Sequence, residues 1–394
     1  MSILNLLQVY TFCTDPQLLP FIIIRWVQLT LRYGLTDMAC LAFASWGVIL
    51  CAVDQSEEGY RYAQLSLKLF HRCKFVSAQV FARLQFLVYG MLAPFKMALR
   101  STFGELQKAI PAAIDSGDFE CTQFTAYTHI LHSLSSGDRL PNVDAMITRY
   151  LPLMTRSQGP WLALTLLVRD YMDSYRNEKD NQLVLSHEIV PGTNKQQFML
   201  LECANACYTC QLAYHFGDFD SALVSARASR MAENVMKTTF IIVFQYFFDA
   251  MTLLEKAHTS KRLRRMRQAS RIIRKVSKLA KQCPDNTLHK LHLLKGEQQV
   301  LKGNLGAALD WYKMAMAHAS KADVPCMNGL ANERSAIALI RLGGGPDHAK
   351  KVNDHLRRAV ELYEYWGADA LAKRIKKKYG FDEISSTGPF PGAK

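Results

Sequence analysis

Cysteines at 203, 207 and 210 are the first residues whose type and spacing could do chemistry. Thiolates in a Cys-x-x-Cys pattern bind metal or exchange disulfides. A structural zinc site needs four ligands, commonly a second Cys or His pair at similar spacing. Here Cys207-Tyr-Thr-Cys210 stands alone, with His215 the nearest further donor and no second pair behind it. The three thiols are therefore read as small packing residues on a helix. His129 with His132, and His289 with His292, are each three residues apart. Both pairs lack the carboxylate that a His-Glu-x-x-His metal helix carries, so they too are read as helix residues. Glycines 343 to 345 lead into Pro346, which is punctuation for a helix end rather than a phosphate cradle. No Gly-x-x-x-x-Gly-Lys-Ser/Thr occurs anywhere in the chain. Ser/His/Asp and Cys/His sets meet only in space, so linear order assigns none. The reading is of a non-enzymatic chain: no catalytic residue, no cofactor, no metal.

Charge supplies a sharper feature. Lys261, Arg262, Arg264, Arg265, Arg267, Arg271, Arg274, Lys275, Lys278 and Lys281 occur with no acid among them, while Met266, Ala269, Ile273, Val276 and Ala280 recur between them at helical spacing. That pattern predicts an amphipathic helix whose apolar stripe docks on the rest of the chain. The whole chain carries 48 Lys and Arg against 34 Asp and Glu, a formal charge of +14. An excess of that size favours acidic partners. Lys261, Arg264, Arg265, Arg267, Arg271, Arg274, Lys275 and Lys278 are the candidate partner-binding residues, for a protein or peptide with an acidic surface. The alternative is RNA or an anionic membrane on the same helix. Aromatic residues are not interleaved with the charges, which weighs against single-stranded nucleic acid.

Such a helix needs a scaffold, and the stretch from Leu288 to Lys378 defines one. Gly296, Ala308, Tyr312 and Ala315 stand 12, 4 and 3 residues apart. This is the skeleton of a tetratricopeptide-type hairpin, in which small residues let two helices approach and one aromatic plugs the gap. Gly303 opens the turn, and a second pair closes on Trp366-Gly367. Gly47 and Gly59 repeat the separation of 12, and Gly217-Asp-Phe-Asp-Ser-Ala222-Leu matches Gly303-Asn-Leu-Gly-Ala-Ala308-Leu in type at an offset of 86. That offset is no multiple of the roughly 34-residue period of the tetratricopeptide repeat. The copies are thus expected to be divergent and unequal in length. No alternating strand pattern of useful length is found, so the expected fold is all-α, a TPR-like α-α superhelix.

The expected organisation is a divergent helical-repeat half over 1–175, a polar joint over 176–197, a TPR-like half over 198–380 and a flexible tail over 381–394. Within the first half, Leu18, Phe21, Ile22, Trp26, Leu29 and Tyr33 give a helical period that stops at Gly34. A helix is expected from about Lys96 to Ile114, kinked or split at Pro111, and another from Asn332 to Leu342. Met38 to Val53 is the longest uncharged run, 16 residues, short of the roughly 18 that a membrane span needs. Ten cysteines without a paired pattern and no basic leader before the first apolar residues point to a reducing, cytoplasmic setting.

These residues also carry a family resemblance. Leu293-Leu-Lys-Gly-Glu297, Gly303-Asn-Leu-Gly-Ala-Ala-Leu-Asp-Trp-Tyr312, Ala331-Asn-Glu-Arg-Ser-Ala336 and Tyr363-Glu-Tyr-Trp-Gly-Ala368 resemble the helical-repeat region of large multi-sensor signal-transduction kinases. Cys283-Pro-Asp-Asn286, Ala44-Ser-Trp-Gly47, Glu58-Gly-Tyr60 and Leu65-Ser-Leu-Lys68 extend the likeness upstream, with gaps, over about residues 10 to 380. Those proteins join a kinase-like domain and an AAA-type signalling ATPase module to this region, followed by GAF and histidine-kinase domains. None of those active parts is matched here, so no catalytic residue transfers. What the resemblance implies is a repeat region that scaffolds or relays a signal, with an ATPase or kinase component as its partner.

Overall fold

The computed structural model describes residues 2–15, 17–73, 77–155, 160–177, 195–231, 233–343 and 346–380. Most of the expected joint and the expected tail therefore lie outside the described residues. The chain opens with α1 (Ser2–Thr14), α2 (Leu19–Tyr33), α3 (Ala39–Ala52) and α4 (Ser56–Arg72). Next, α5 (Ala78–Gln85) runs into a π-helical stretch, Phe86–Leu92, and two 3-10 turns, Ala93–Phe95 and Leu99–Thr102. There follow α6 (Phe103–Asp115), α7 (Phe119–Ser135), α8 (Leu140–Thr155), α9 (Pro160–Arg176), α10 (Lys195–Phe216), α11 (Phe219–Met231) and the short α12 (Glu233–Met236). The last run is α13 (Ile241–Lys256), α14 (Arg262–Gln282), α15 (Pro284–Lys302), α16 (Leu305–Lys321), α17 (Pro325–Leu342), α18 (Pro346–Trp366) and α19 (Asp369–Tyr379). No strand occurs among the described residues. Neighbouring helices pair as α3 on α4, α10 on α11, α13 on α14, α15 on α16 and α17 on α18. The fold is an all-α superhelix of helical hairpins.

One turn recurs through it. At Gly117, Gly137, Gly217, Gly303 and Gly367 φ is positive, between 70° and 94°. In each case the glycine N–H bonds the carbonyl three residues back, and the next N–H bonds the carbonyl five back, as Gly303 N to Val300 O at 3.0 Å and Asn304 N to Gln299 O at 3.0 Å. This is the Schellman closure of a helix C-terminus, and it favours glycine at the left-handed position. Asp54 and Asp323 make the same pair of bonds with φ of 64° and 53°. The repeat is thus carried by turn geometry even where the residue changes.

The hairpins approach as closely as their small residues allow. A Cβ on Gly296 would stand 2.4 Å from the Tyr312 ring, and one on Gly329 would stand 2.9 Å from the Tyr363 ring. Gly47 and Gly59 bring α3 and α4 together backbone to backbone, each Cβ position lying within 2.8 Å of the other's carbonyl oxygen. Ala222, Ala308, Tyr312 and Ala315 are fully buried.

The helix expected to stop at Gly34 is present as α2, and two later boundaries are corrected. In α2 the covered stripe is Ile23, Trp26 and Thr30, while Phe21 and Tyr33 are 70% and 71% exposed. The helix is apolar on both sides but only one side is packed, so periodicity could not select the face. The helix expected from Lys96 begins instead at Phe103. Carbonyls that would start it, on Pro94 and Met97, accept from the Asn286 side chain at 2.9 and 2.8 Å. It then runs through Pro111 to Asp115 as one helix. The helix expected from Asn332 starts at Pro325, with proline in the first turn where its missing N–H costs nothing. Residues 325–336 are all buried, and a helix covered all round shows no amphipathic period.

One hydrophobic cluster reaches from Phe95 to Ile375 and so contains residues from both expected halves, with a smaller one from Trp26 to Leu92. Contacts distant in sequence join them. Leu99 N donates to Asn286 Oδ1 at 3.1 Å, Arg139 Nε to Tyr365 O at 2.9 Å and Trp366 Nε1 to Asp138 O at 3.0 Å. Gly137 packs against Val324, and Gly367 against Pro141. The Schellman turns at 137, 323 and 367 thus meet where early hairpins close onto late ones.

Candidate partner-binding surface

The basic segment folds as α14. Ala269, Ile272, Ile273, Val276 and Ala280 are buried, and the helix packs by this stripe on α13 and α15. Arg264, Arg267, Arg271 and Arg274 fall on the opposite side and are exposed. Their spacing of 3, 4 and 3 residues puts four guanidinium groups in one line about 15 Å long, at roughly 1.5 Å rise per residue. None of the four has a hydrogen-bond or ion-pair partner among the described residues. Like charges at this spacing repel by a few tenths of a kcal/mol per pair, about 0.2–0.5. No acid within the helix offsets that cost.

The remaining cations behave differently. Arg265 turns back onto the end of α13, donating to Lys256 O at 2.6 Å and to Ser260 O at 2.9 Å. Lys275 pairs with Glu233 at 2.6 Å and lies 4.6 Å above the Tyr246 ring. Burial pushes the Glu233 carboxyl up, but Lys275 and the Tyr246 hydroxyl more than offset this and hold it below its ordinary value. Lys278 donates to Asp54 O at 2.7 Å. Lys261 is exposed at the helix start with φ of 49°. The structure thus leaves Lys261 and the four arginines facing solvent, and sets Arg265, Lys275 and Lys278 into contacts within the chain.

The two helices on which α14 packs are themselves covered. Every residue of α13 from Gln245 to Glu255 is buried, as is most of α15. A buried charge cluster joins them. Arg334, 4% exposed, donates to Glu297 at 2.8 and 2.6 Å and to Glu255 at 2.6 Å. Tyr312 Oη donates to Glu297 at 2.6 Å, Arg341 reaches Glu255, and Arg374 pairs with Glu333 at 2.5 Å. Burial alone would push the Glu255 carboxyl up; Arg334 and Arg341 outweigh it and bring it down to about 2. Sequence reasoning missed this cluster. Its signal was the Glu-Arg pair 333–334 in a run otherwise rich in small and apolar residues.

The residues first singled out for chemistry are interior ones. Cys203, Cys207 and Cys210 are at most 3% exposed. Burial pushes the thiols of Cys203 and Cys210 up to about 11 and 12. His129 and His132 face apart, bonded through Nδ1 to Tyr150 Oη and to Thr102 Oγ1, each at 3.0 Å. His289 Nε2 accepts from Lys290 Nζ at 3.0 Å, and His292 lies against Trp311 and His318 with centroids 5.3 and 5.1 Å away. Among the described residues no three His, Cys, Asp or Glu side chains gather as metal ligands, and no helix is long and apolar enough to cross a membrane. Gly344 and Gly345 lie outside the described residues.

Compared with known proteins, the chain matches no protein family and no curated sequence. Among solved structures it is similar to the crystal structure of the yeast Tom70, at 10% identity over 87% of this chain and 89% of that one, with a TM-score of 0.22. The architecture stated above rests on the chain's own helices and turns.

Proposed function

We propose that the chain is a non-enzymatic helical-repeat interaction protein that holds an acidic protein or peptide on the arginine line of α14. The observation that carries this is the line itself: four exposed guanidinium groups at 264, 267, 271 and 274, without partners among the described residues, on a helix docked by its apolar stripe. An arginine fork donates two parallel hydrogen bonds to one carboxylate, and an acidic helix with residues three and four apart would present carboxylates at matching intervals. The resemblance to the repeat region of multi-sensor kinases makes an ATPase or kinase component of a signalling assembly the proposed partner. Nine cysteines are free among the described residues, eight of them buried, which supports a reducing compartment as its setting.

The test changes Arg264, Arg267, Arg271 and Arg274 to Gln together and measures binding of acidic helical peptides and of RNA to both proteins. Peptide binding that weakens at least tenfold in the variant, with unchanged melting temperature, supports the proposal. Equal peptide binding by the two proteins refutes it. RNA binding whose affinity falls steeply with salt and disappears in the variant would assign the surface to phosphate backbone instead.

A further inference from the structure

The seam between the first hairpin and α14 contains a cavity of about 130 Å³. Its walls come from the α3–α4 turn with Cys51, Asp54 and Ser56, from Lys237, Ile242 and Tyr246 around the start of α13, and from Lys275, Lys278, Leu279 and Gln282 of α14. Phe95 also lines it. Two kinds of surface are therefore set side by side. Cys51, Phe95, Ile242 and Leu279 are apolar, and three ammonium groups stand around them. Against those three, the nearby carboxylates are Glu233, bonded to Lys275 and Tyr246 and lowered also by the charge of Lys237, Asp249, which is paired with Arg230, and Asp54, an exposed residue of the turn. Lys237 has no ion pair among the described residues. Lys278 is held over the seam by its bond to Asp54 O. The Ser56 hydroxyl donates to Gln282 at 2.7 Å and fixes the turn against α14.

Size limits what fits. A dry engineered cavity of about 150 Å³ accommodates benzene, so the apolar part of this lining suits a body of about one aromatic ring. Three lysines around the cavity leave a positive surplus that favours an anion. We propose that this cavity is a binding site for a small organic anion, a carboxylate or phosphate monoester carried on an apolar body of that size, with Lys237 and Lys278 as the groups that hold its head. The site is separate from the outer arginine line. It bridges segments more than 200 residues apart, so a bound anion would also tighten closure of the superhelix and raise the melting temperature with concentration.

Isothermal titration calorimetry with benzoate and phenyl phosphate tests this, with inorganic phosphate as the head alone. Saturable one-to-one binding of at least one organic anion, about tenfold or more tighter than inorganic phosphate, is expected. Removing a charged hydrogen-bond partner costs about tenfold or more in affinity, so Lys237→Gln and Lys278→Gln should each weaken binding by at least that factor. Lys237 carries no ion pair, so Lys237→Gln should fold normally. Changing Arg264 and Arg271 to Gln should leave anion binding as it was, which separates this site from the partner surface. Three results would overturn the proposal: no saturable binding by either organic anion, equal binding of inorganic phosphate, or full affinity in the Lys237→Gln, Lys278→Gln double variant.

Discussion

Arg334 shows how much one side chain can hold. It is buried with two carboxylates, and the hydroxyl of Tyr312 completes the shell of Glu297. Removing one partner of a buried pair leaves an uncompensated charge, at a cost of about 3–5 kcal/mol. Arg334→Met should therefore lower stability by that amount in urea unfolding, and adding Glu297→Gln should recover part of the loss because one orphan charge is gone. No recovery in the double variant would mean that packing, not charge, sets the cost. Buried histidines make a second prediction at this scale. Burial lowers His129, His132 and His215 from 6.5 to about 4, 3 and 3, so in the folded chain they stay neutral where the unfolded chain binds protons. Their contribution is present above about pH 6.5 and is lost as pH falls toward their folded values. The slope reaches about 1.4 kcal/mol per pH unit for each. Asp249 opposes them, since burial raises its carboxyl to about 7 in spite of Arg230, but it is one proton against three. The melting temperature should accordingly fall between pH 6.5 and 4.5, and fall less in His132→Gln measured against its own value at pH 7.5.

Helices and turns are where the sequence was most and least informative. The Schellman turns allow a direct test, because the same backbone is made with glycine at 303 and aspartate at 323. A Cβ at Gly303 would meet nothing within 4 Å, so Gly303→Ala should destabilise through φ alone, by about 1 kcal/mol. Asp323→Gly should do the reverse and add about 0.5–1 kcal/mol. Its carboxylate is 73% exposed and 3.4 Å from Arg100, an ion pair worth little. Thermal melts of the two variants moving in the same direction would refute the strain argument. Glycines at 217, 303 and 367 and the buried small residues were readable because each marks a local demand for backbone room. Boundaries at Pro325 and Phe103 were not. In α17 complete burial erases the period, and before α6 the backbone answers to Asn286, a residue almost two hundred positions away. The same limit hid the cavity beside Lys278. Its lysines could be read as charges, but their neighbours Asp54 and Ser56 are supplied by topology.

A linear array of repeats has stability that sums over nearest neighbours, and it can fray from either end. Here the coil returns on itself, and the consequence turns on Asn286, 8% exposed. Its amide donates to Pro94 O and Met97 O and accepts from Leu99 N. One α15 side chain thus satisfies three backbone groups in the irregular segment before α6. Asn286→Leu removes the partner of Pro94 O and of Leu99 N and leaves Met97 O with only the Cys283 thiol at 3.3 Å, at about 1–3 kcal/mol for each group left dry. If closure couples the two sides, the loss should not remain local. Hydrogen exchange should quicken together in the segment 93–102, in the first turns of α15 and at the 136–139 turn, where Arg100 and Trp366 hold the next contacts of the same seam. Urea unfolding should stay a single transition at a lower midpoint. A linear array predicts something else: faster exchange confined to residues next to 286, or a second transition in which the early helices melt apart from the late ones. Either result would show that the seam is contact without coupling.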